Sequence, residues 1–513
     1  MGTAERIEEV DAFAAARVHL AAMEKRLSSR EMLGAEHSEI ESYAIEQGRE
    51  LQRLLIQAHM ELRAARERRV EVRGADGVRR TMTRDSARPV GTLVGEVVVP
   101  RIAYQARNVN GLHPMDASLN LSPVLYSHGV ERFVAENAAI MSFDDVRYAL
   151  IRQTGSRAPK RQIEELAVRA ATDFETFYTE RRAANDLVEP TRDPLVMTFD
   201  GKGIVMVPED LRPATKKAAK KNDRKLATRL TKGEKRNRKR MAQVAAIYTV
   251  PRYVREPLDI LADLDGTRAD DPRPERPKVR NKRVWASVER ESEAVIEETF
   301  LEALARDPKH CRQWVALIDG NKDQLAIIRA MADKHGPVRI VVDLMHVLEY
   351  LWRAAHALCG DGTKAAETWV QDQLLSLLRG ESVAKIATIM RRSARAARLV
   401  DTALAAVAAA ADYLQTYGQY MRYDEAIAQG LPIATGVIEG ACRYLVKDRM
   451  DRGGARWTLT GAEAVLRLRA LRASGHFDDY WQFHLREEKR RNHDVRYAGS
   501  SPPDPVRPLR RIK

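Results

Sequence analysis

The segment that most constrains the fold is residues 314–346, WVALIDGNKDQLAIIRAMADKHGPVRIVVDLMH, which has the pattern of a strand, a helix and a second strand. Its two apolar runs, 315–318 and 338–342, end in the acids Asp319 and Asp343. Apolar side chains recur at helical spacing between them, so the connection is expected to be a helix and the strands parallel. Sites in such sheets lie beyond the C-terminal ends of the strands, where both acids are expected.

Two further acids have comparable settings. The apolar run 195–199 ends at Asp200, which is expected in a turn before another apolar run, and Glu439 lies on a predicted helix within GVIEGACR at 436–443. A single Asp-Gly pair indicates only a turn. Two acids at strand ends and a distant helical glutamate, on a basic chain, instead suggest an oxygen ligand set for two Mg²⁺ ions about 4 Å apart.

The order of the elements predicts a fold. Strand patterns at 242–250 and 282–288 and a helical pattern at 291–306 complete the series strand, strand, strand, helix, strand, helix, strand. This is the order of an RNase H-like fold, whose first strand pairs with its fourth. Asp319 would then end the strand beside that of Asp200 and share a metal with it, whereas Asp343 would lie one strand further out. Either could still be the second ligand.

The charge of the chain predicts a polyanionic partner. Its 513 residues carry a formal net charge of +14, and nucleic acid is the leading candidate for such a partner. The three cysteines form no CxxC pair, which fits a reducing cytosol and argues against a zinc site built from cysteines. The N-terminus lacks the pattern of a signal peptide, and no apolar run approaches the roughly 20 residues of a membrane span. We therefore expect a cytoplasmic protein with no membrane partner.

Several basic segments are candidates for DNA contact. Residues 143–150, a turn at 154–156 and residues 159–167 have the spacing of a helix-turn-helix, and the basic run 212–240 is expected to be an arm that binds phosphates. Lys202, beside Asp200, is either a turn residue or a group that neutralises the scissile phosphate. Trp457 either stacks on an unpaired base or belongs to the core. The remaining candidates are Lys160, Arg161, Lys235, Arg236, Arg238, Lys447, Arg452 and Arg456.

Composition and periodicity predict an α/β RNase H-like catalytic core, interrupted by an all-α insertion and preceded by a mainly α N-terminal DNA-binding region. The expected regions are an N-terminal helix and small β module (1–121), a helix-turn-helix-like region (122–190), the first part of the core (191–346), the helical insertion (347–429), the second part of the core (430–480) and a basic disordered tail (481–513).

Four blocks carry a resemblance to a known family: TFDGKG at 198–203, VALIDGNKDQ at 315–324, VVDLMHVLEYLW at 341–352 and GVIEGACRYLVKDRMDRGGARW at 436–457. Together they resemble the ISKra-type transposases of bacterial insertion sequences, a branch of the DDE superfamily. The resemblance extends from about residue 88 to 481. One departure is that many relatives carry cysteine pairs before the first core strand, whereas this chain has no cysteine before Cys311.

The resemblance implies a catalytic triad of Asp200, Asp319 and Glu439 that binds two Mg²⁺ ions, for which Mn²⁺ is expected to substitute. Asp343 and His346 correspond to the family's second acidic block, where His346 would hydrogen-bond a metal ligand, contact DNA or serve the structure alone. The implied reaction is cleavage at the transposon end followed by strand transfer. The implied partners are the terminal inverted repeats and target DNA, bound by a homodimer or higher oligomer at the bacterial nucleoid.

Two other functions fit the same residues. The chain would be a DNA-binding protein without catalysis if the acids were only turn and cap residues. It would be an RNase H-like nuclease if its substrate were another DNA structure, such as a Holliday junction.

Overall fold

The computed structural model describes residues 11–184, 186–220, 234, 238–266, 275–434 and 436–506. Contacts divide the chain into two compact units, Met1–Phe174 with His476–Lys513, and Glu175–Gly475. Within the described ranges, no helix combines the length and apolarity that crossing a bilayer requires.

The first unit begins with helices and a small antiparallel sheet. Thr92 pairs with Gly95 where the first two strands meet, and Gly95 has a φ of 115°, a conformation that favours glycine. Ile56 and Met60 of the long third helix pack against buried valines of the second strand. The elements are α1 (Ala14–Leu27), α2 (Arg30–Leu33), α3 (His37–Ala65), β1 (Met82–Thr92), β2 (Gly95–Ala106) and β3 (Val109–Leu112).

A helical bundle follows in the same unit and includes the predicted helix-turn-helix. Ser142 caps one helix by accepting a hydrogen bond from the backbone N–H of Asp145, and Gly155, with a φ of 72°, ends that helix. The expected pair of helices with glycine at the turn is therefore confirmed. The helices are α4 (Pro114–Leu119), α5 (His128–Ala138), α6 (Phe143–Thr154), α7 (Lys160–Ala170) and α8 (Phe174–Ala183), whose residues from Glu175 belong to the second unit.

The second unit is built on a five-stranded mixed sheet in the order β6-β5-β4-β7-β8. In this sheet β5 pairs antiparallel with both β4 and β6. β7 is parallel to β4, and β8 is parallel to β7. Residues 195–199 of β4 are all buried, as expected for a central strand covered on both faces. The strands are β4 (Leu195–Val205), β5 (Lys239–Thr249), β6 (Arg280–Ser287), β7 (Trp314–Ile318) and β8 (Arg339–Val342).

The predicted parallel strand-helix-strand unit is confirmed, as is the pairing of the first core strand with the fourth. The predicted all-helical insertion is also confirmed, since the described residues between Leu344 and Ala434 contain helices and no strand. The helices are α9 (Pro213–Lys220), α10 (Pro257–Asp265), α11 (Ser292–Arg306), α12 (Lys322–His335), α13 (Leu344–Cys359), α14 (Lys364–Leu378), α15 (Val383–Ala396), α16 (Asp401–Tyr417), α17 (Tyr423–Ala428), α18 (Gly436–Ala441), α19 (Asp448–Met450) and α20 (Leu459–Ser474).

Two predictions are wrong. Asp200 does not lie in a turn, because β4 continues to Val205 and pairs with β5 along its whole length. The predicted disordered tail at 481–513 begins inside a helix, α21 (Phe477–Asn492), which belongs to the first unit. Burial of Tyr480 and Trp481 and a 2.7 Å contact between His484 Nδ1 and Asp173 Oδ2 hold this helix in the unit despite its many basic residues.

Candidate active site

The sheet places two of the predicted acids side by side. β4 and β7 pair in parallel as far as Thr198 and Leu317. Continuing that register by two residues brings Asp200 and Asp319 to the same level on adjacent strands, which lie about 5 Å apart. Asp319 follows directly after β7 and is half-buried, as is Asp200. The two carboxylates that were expected to share a metal therefore occupy neighbouring positions at the C-terminal edge of the parallel strands.

Asp343 lies at the same level one strand further out and is more buried than Asp319. Both acids accept a backbone hydrogen bond from the residue two positions later, which for Asp319 is the N–H of Asn321 at 2.8 Å from Oδ1. The register of Asp343 follows from the pairing of Ile318 with Val342. The residue is only 4% exposed, and its Oδ1 accepts a hydrogen bond of 2.8 Å from the backbone N–H of Met345, which makes it the N-cap of α13. Asp319, with its greater exposure, is the more accessible of the two candidates for the second ligand.

The third acid reaches this edge on a helix. The Cys442 thiol donates to Oδ2 of Asp200 at 3.0 Å, while the backbone N–H of Gly201 donates to Oδ1 at 2.6 Å. Glu439 lies on α18, one turn before Cys442, and α18 packs against β4. Burial, followed by the charges of Asp200 and Glu439, raises the pKa of the Cys442 thiol. The negative charges of both carboxylates therefore act on the same thiol.

The donor set fits Mg²⁺ in chemistry but is not gathered into a tight cluster. Among the described residues, the only three ligand groups within 4.8 Å of one another are His128, Glu131 and Glu488. The carboxylate oxygens of Asp200, Asp319 and Glu439 therefore do not all lie within 4.8 Å of one another. Mg²⁺ prefers oxygen ligands and keeps several waters, so one or two carboxylates per ion suffice. Asp200 within β4, Asp319 just after β7 and the exposed Glu439 offer carboxylate oxygens of this kind.

The His128 cluster has a simpler explanation. It lies in the first unit, where Arg169 already contacts both glutamates, with N···O distances of 3.3 Å to Glu131 and 2.6 Å to Glu488. A guanidinium that bridges two buried carboxylates balances their charge. We therefore assign this group to the packing of α5, α7 and α21.

An aromatic cavity of about 570 Å³ opens beside Asp319. Its wall includes His346, which is half-buried, and the rings of Tyr350 and Tyr413, which stack with centroids 3.9 Å apart. The Tyr413 hydroxyl donates to the backbone oxygen of Asp319 at 2.9 Å, and a Cβ at Gly320 would lie 2.8 Å from the Tyr413 ring. A glycine is thus required at that position, and the tyrosine fixes the backbone that carries the acid.

Sequence reasoning missed Cys442, Tyr350 and Tyr413. A single cysteine or tyrosine on a helix has no periodic or motif signal, because its role depends on a contact with a distant strand. The position of Cys442 one turn after Glu439 was the only local indication that it would share the site.

The predicted DNA-binding side chains occupy different settings. Lys160 and Arg161 are exposed at the start of α7, where they pair with Asp144 at 2.6 Å and Glu165 at 2.9 Å. Lys202 is half-buried and close enough to Cys442 for its charge to act against the rise in the pKa of that thiol. Lys447, Arg452 and Arg456 are exposed and Arg238 is half-buried, while Lys235 and Arg236 lie outside the described residues.

Trp457 is a core residue, and the prediction that it stacks on a base is wrong. It is 5% exposed, its indole N–H donates to the backbone oxygen of Met450 at 3.0 Å, and the Arg449 guanidinium lies 4.7 Å from its ring centroid. Its backbone also pairs with Met206, just beyond the end of β4. A large buried aromatic ring with these contacts stabilises the end of β4.

No family model and no curated protein matches the chain.

Proposed function

We propose that the protein is a DNA transposase of the DDE type that binds the ends of an insertion sequence and catalyses Mg²⁺-dependent cleavage and strand transfer. The observation that carries the proposal is the register of β4 and β7, which sets Asp200 beside Asp319. Glu439 lies on α18, which is followed directly by Cys442, the residue that contacts Asp200.

The topology of the second unit supports an RNase H-like core. Three antiparallel strands are followed by two parallel ones, and β4 is central with β7 beside it. A helical region then separates the second acid from the third. This is the order that the sequence pattern and the resemblance to ISKra-type transposases imply.

The three carboxylates serve in this proposal as metal ligands, so no covalent bond forms between protein and DNA. Asp200 offers its oxygens from within β4 and Asp319 from just after β7, and Glu439 completes the proposed ligand set from α18. Mg²⁺ or Mn²⁺ held by these residues would supply activation of the attacking water or 3′-hydroxyl and stabilisation of the leaving oxygen. Lys202 neutralises charge on the scissile phosphate, and His346 contacts DNA or a ligand beside Asp319.

Charge and exposure support DNA as the partner. The net charge of +14 favours a polyanion. Lys160 and Arg161 begin the second helix of the helix-turn-helix, where residues contact the major groove in proteins of that type. Three further basic residues shortly after Glu439 in the sequence are exposed: Lys447, Arg452 and Arg456. We propose that a homodimer or higher oligomer forms on the terminal repeats.

A second candidate is a DNA-binding protein without catalysis. The fact that the three carboxylates are not all within 4.8 Å of one another, together with the capping role of Asp343, favours it. A nuclease that acts on another DNA structure is distinguished from a transposase only by its substrate.

The test compares Asp200→Asn and Glu439→Gln with wild type on labelled DNA taken from either side of the coding region. A transposase cuts this DNA in Mg²⁺, and both variants still bind it but no longer cut. Asp323→Asn is the matched control, because this exposed acid lies one turn from Asp319 on α12. Wild-type binding without cleavage in either metal would favour the non-catalytic protein, and preferential cleavage of a four-way junction would favour the nuclease.

A further inference from the structure

A cavity of about 350 Å³ in the first unit has four arginines in its lining. Among the described residues that line it, Asp116 is the only carboxylate. The cationic and titratable members of the lining are Arg88, Arg101, Arg491, Arg496, His113 and His493. Such an excess of one charge in a small enclosed space requires compensation.

The charges of the lining are only partly compensated. Asp116 is shared by two guanidiniums, with Arg101 at 2.8 Å from Oδ1 and Arg88 at 3.7 Å from Oδ2. Arg88 also donates to the backbone oxygens of Ser122 and Val124. Carbonyl oxygens satisfy hydrogen bonds but carry no full charge, so one carboxylate faces two arginines.

The other two arginines differ in how they are balanced. Arg491 is paired outside the cavity, with Asp173 at 2.9 Å and Glu488 at 2.7 Å. Arg496 donates to the backbone oxygen of Gly111 at 3.2 Å and is exposed at the mouth of the cavity. Arg496 thus adds a positive charge for which the cavity lining offers no acid.

A buried donor also lacks a partner. Nε of Arg101 makes no hydrogen bond, although the side chain is only 10% exposed. An unpaired buried N–H on a charged group is costly, and an anion beside it would remove that cost. Burial, followed by the charge of Arg101, lowers the pKa of His113, as expected where positive charges accumulate.

We propose that this cavity binds a phosphate group through Arg88, Arg101 and Arg496. A guanidinium fork matches phosphate oxygens in geometry, and a phosphate dianion supplies the charge that Asp116 does not. The volume exceeds one phosphate and is at the lower end of ligand pockets, so a phosphate ester fits as well. The burial of Arg88 and Arg101 favours a free phosphate or one at the end of a strand over the backbone of an intact duplex. This site is separate from the three acids and goes beyond the proposed function.

The test is calorimetric titration of the full chain with inorganic phosphate at constant ionic strength. Arg101→Gln is expected to weaken binding at least about tenfold, because it removes charge-assisted hydrogen bonds. Asp116→Asn is expected to tighten binding, because it removes the only carboxylate among the described residues of the lining. Arg84→Gln, an exposed position on β1 away from the cavity, is the control and leaves binding unchanged.

If Arg101→Gln does not fold, Arg496→Gln at the cavity mouth replaces it, with an expected weakening of about threefold. Short single strands with and without a 5′-phosphate distinguish the sources of the group. Preference for the phosphorylated strand supports a strand end, and equal binding of free phosphate supports a small anion. Absence of phosphate binding by wild type, or equal affinity in the Arg101, Asp116 and Arg84 variants, would overturn the proposal.

Discussion

Cys442 donates its thiol hydrogen to Oδ2 of Asp200 across 3.0 Å. The thiol lies at the start of a π-helical segment, Cys442–Lys447, that directly follows α18. Single π turns inside helices are frequent at functional sites. This contact fixes the orientation of the Asp200 carboxylate, which is a metal ligand in the proposed mechanism. Cys442 itself touches neither substrate nor metal in that mechanism.

Replacement of Cys442 should therefore affect metal binding according to whether a donor remains. Cys442→Ser keeps a hydroxyl donor and should retain the Mn²⁺ affinity of the free protein, whereas Cys442→Ala should weaken it about tenfold or more. Titration followed by electron paramagnetic resonance measures this without DNA. Equal Mn²⁺ affinity in the two variants would show that the thiol only fills space.

Asp319 and Asp343 should respond differently to asparagine. Asparagine caps helices about as well as aspartate, so Asp343→Asn should keep the cap on α13 and leave cleavage nearly unchanged. Asp319→Asn removes the proposed metal ligand and should abolish cleavage while the melting temperature stays close to wild type. Cleavage assays and thermal melts on the two proteins decide the assignment. Loss of cleavage in Asp343→Asn alone would reverse it.

The start of α7 should contribute to DNA binding mainly through charge. Arg161→Ala removes a side chain that is 89% exposed, and it should lower affinity and reduce the slope of log affinity against log salt by about one. Lys25→Ala on α1, also exposed, is the control. Fluorescence anisotropy at several salt concentrations measures both effects. An unchanged slope for Arg161→Ala would exclude a phosphate contact there.

Glu67 should make the stability of the first unit depend on pH. Burial raises the pKa of this carboxyl from 4.5 to about 7, although Oε2 accepts a hydrogen bond from the backbone N–H of Ile102. A raised pKa means that the folded state binds the proton more tightly, so the contribution to stability is full below about pH 4.5 and is lost as the pH rises through about 7.

Glu67→Gln keeps the acceptor and removes the ionisation. We expect the variant to match wild type near pH 4.5 and to exceed it at pH 8 by on the order of 1–3 kcal/mol, allowing for partial solvent screening. Chemical denaturation at both values measures the difference. Equal pH dependence of the two proteins would contradict the burial effect at this residue.

Trp457 should matter for stability and not for recognition of unpaired bases. Trp457→Ala is expected to destabilise the second unit by about 3–5 kcal/mol, because it empties a buried site beside β4. Trp457→Phe fills most of that space and loses only the hydrogen bond to Met450, so it should fold and bind single-stranded DNA as wild type does. A selective loss of single-strand binding in Trp457→Phe would contradict the core assignment.

The core strands were predictable because they are continuous apolar runs, and two parallel strands joined by a helix can pair in few ways. The same reasoning correctly set Asp319 beside the strand of Asp200. It failed at Asp200 itself, because Gly201 and Gly203 suggest a turn while their pairing with β5 depends on distant residues. It failed at α21 for the same reason, since Asp173 lies far away in the sequence.

The first unit is interrupted by the whole of the second, since α21 rejoins α5 and α7 only after residue 475. On the ribosome, Glu131 and Arg169 therefore remain without Glu488 until the second unit has been synthesised. During that interval Arg169 lacks one of its two ion-pair partners. The first unit therefore cannot complete its packing until α21 has been synthesised. A chain truncated before α21 would leave Arg169 without Glu488 and Asp173 without His484 and Arg491, so we expect its first unit to be less stable than that of the full chain.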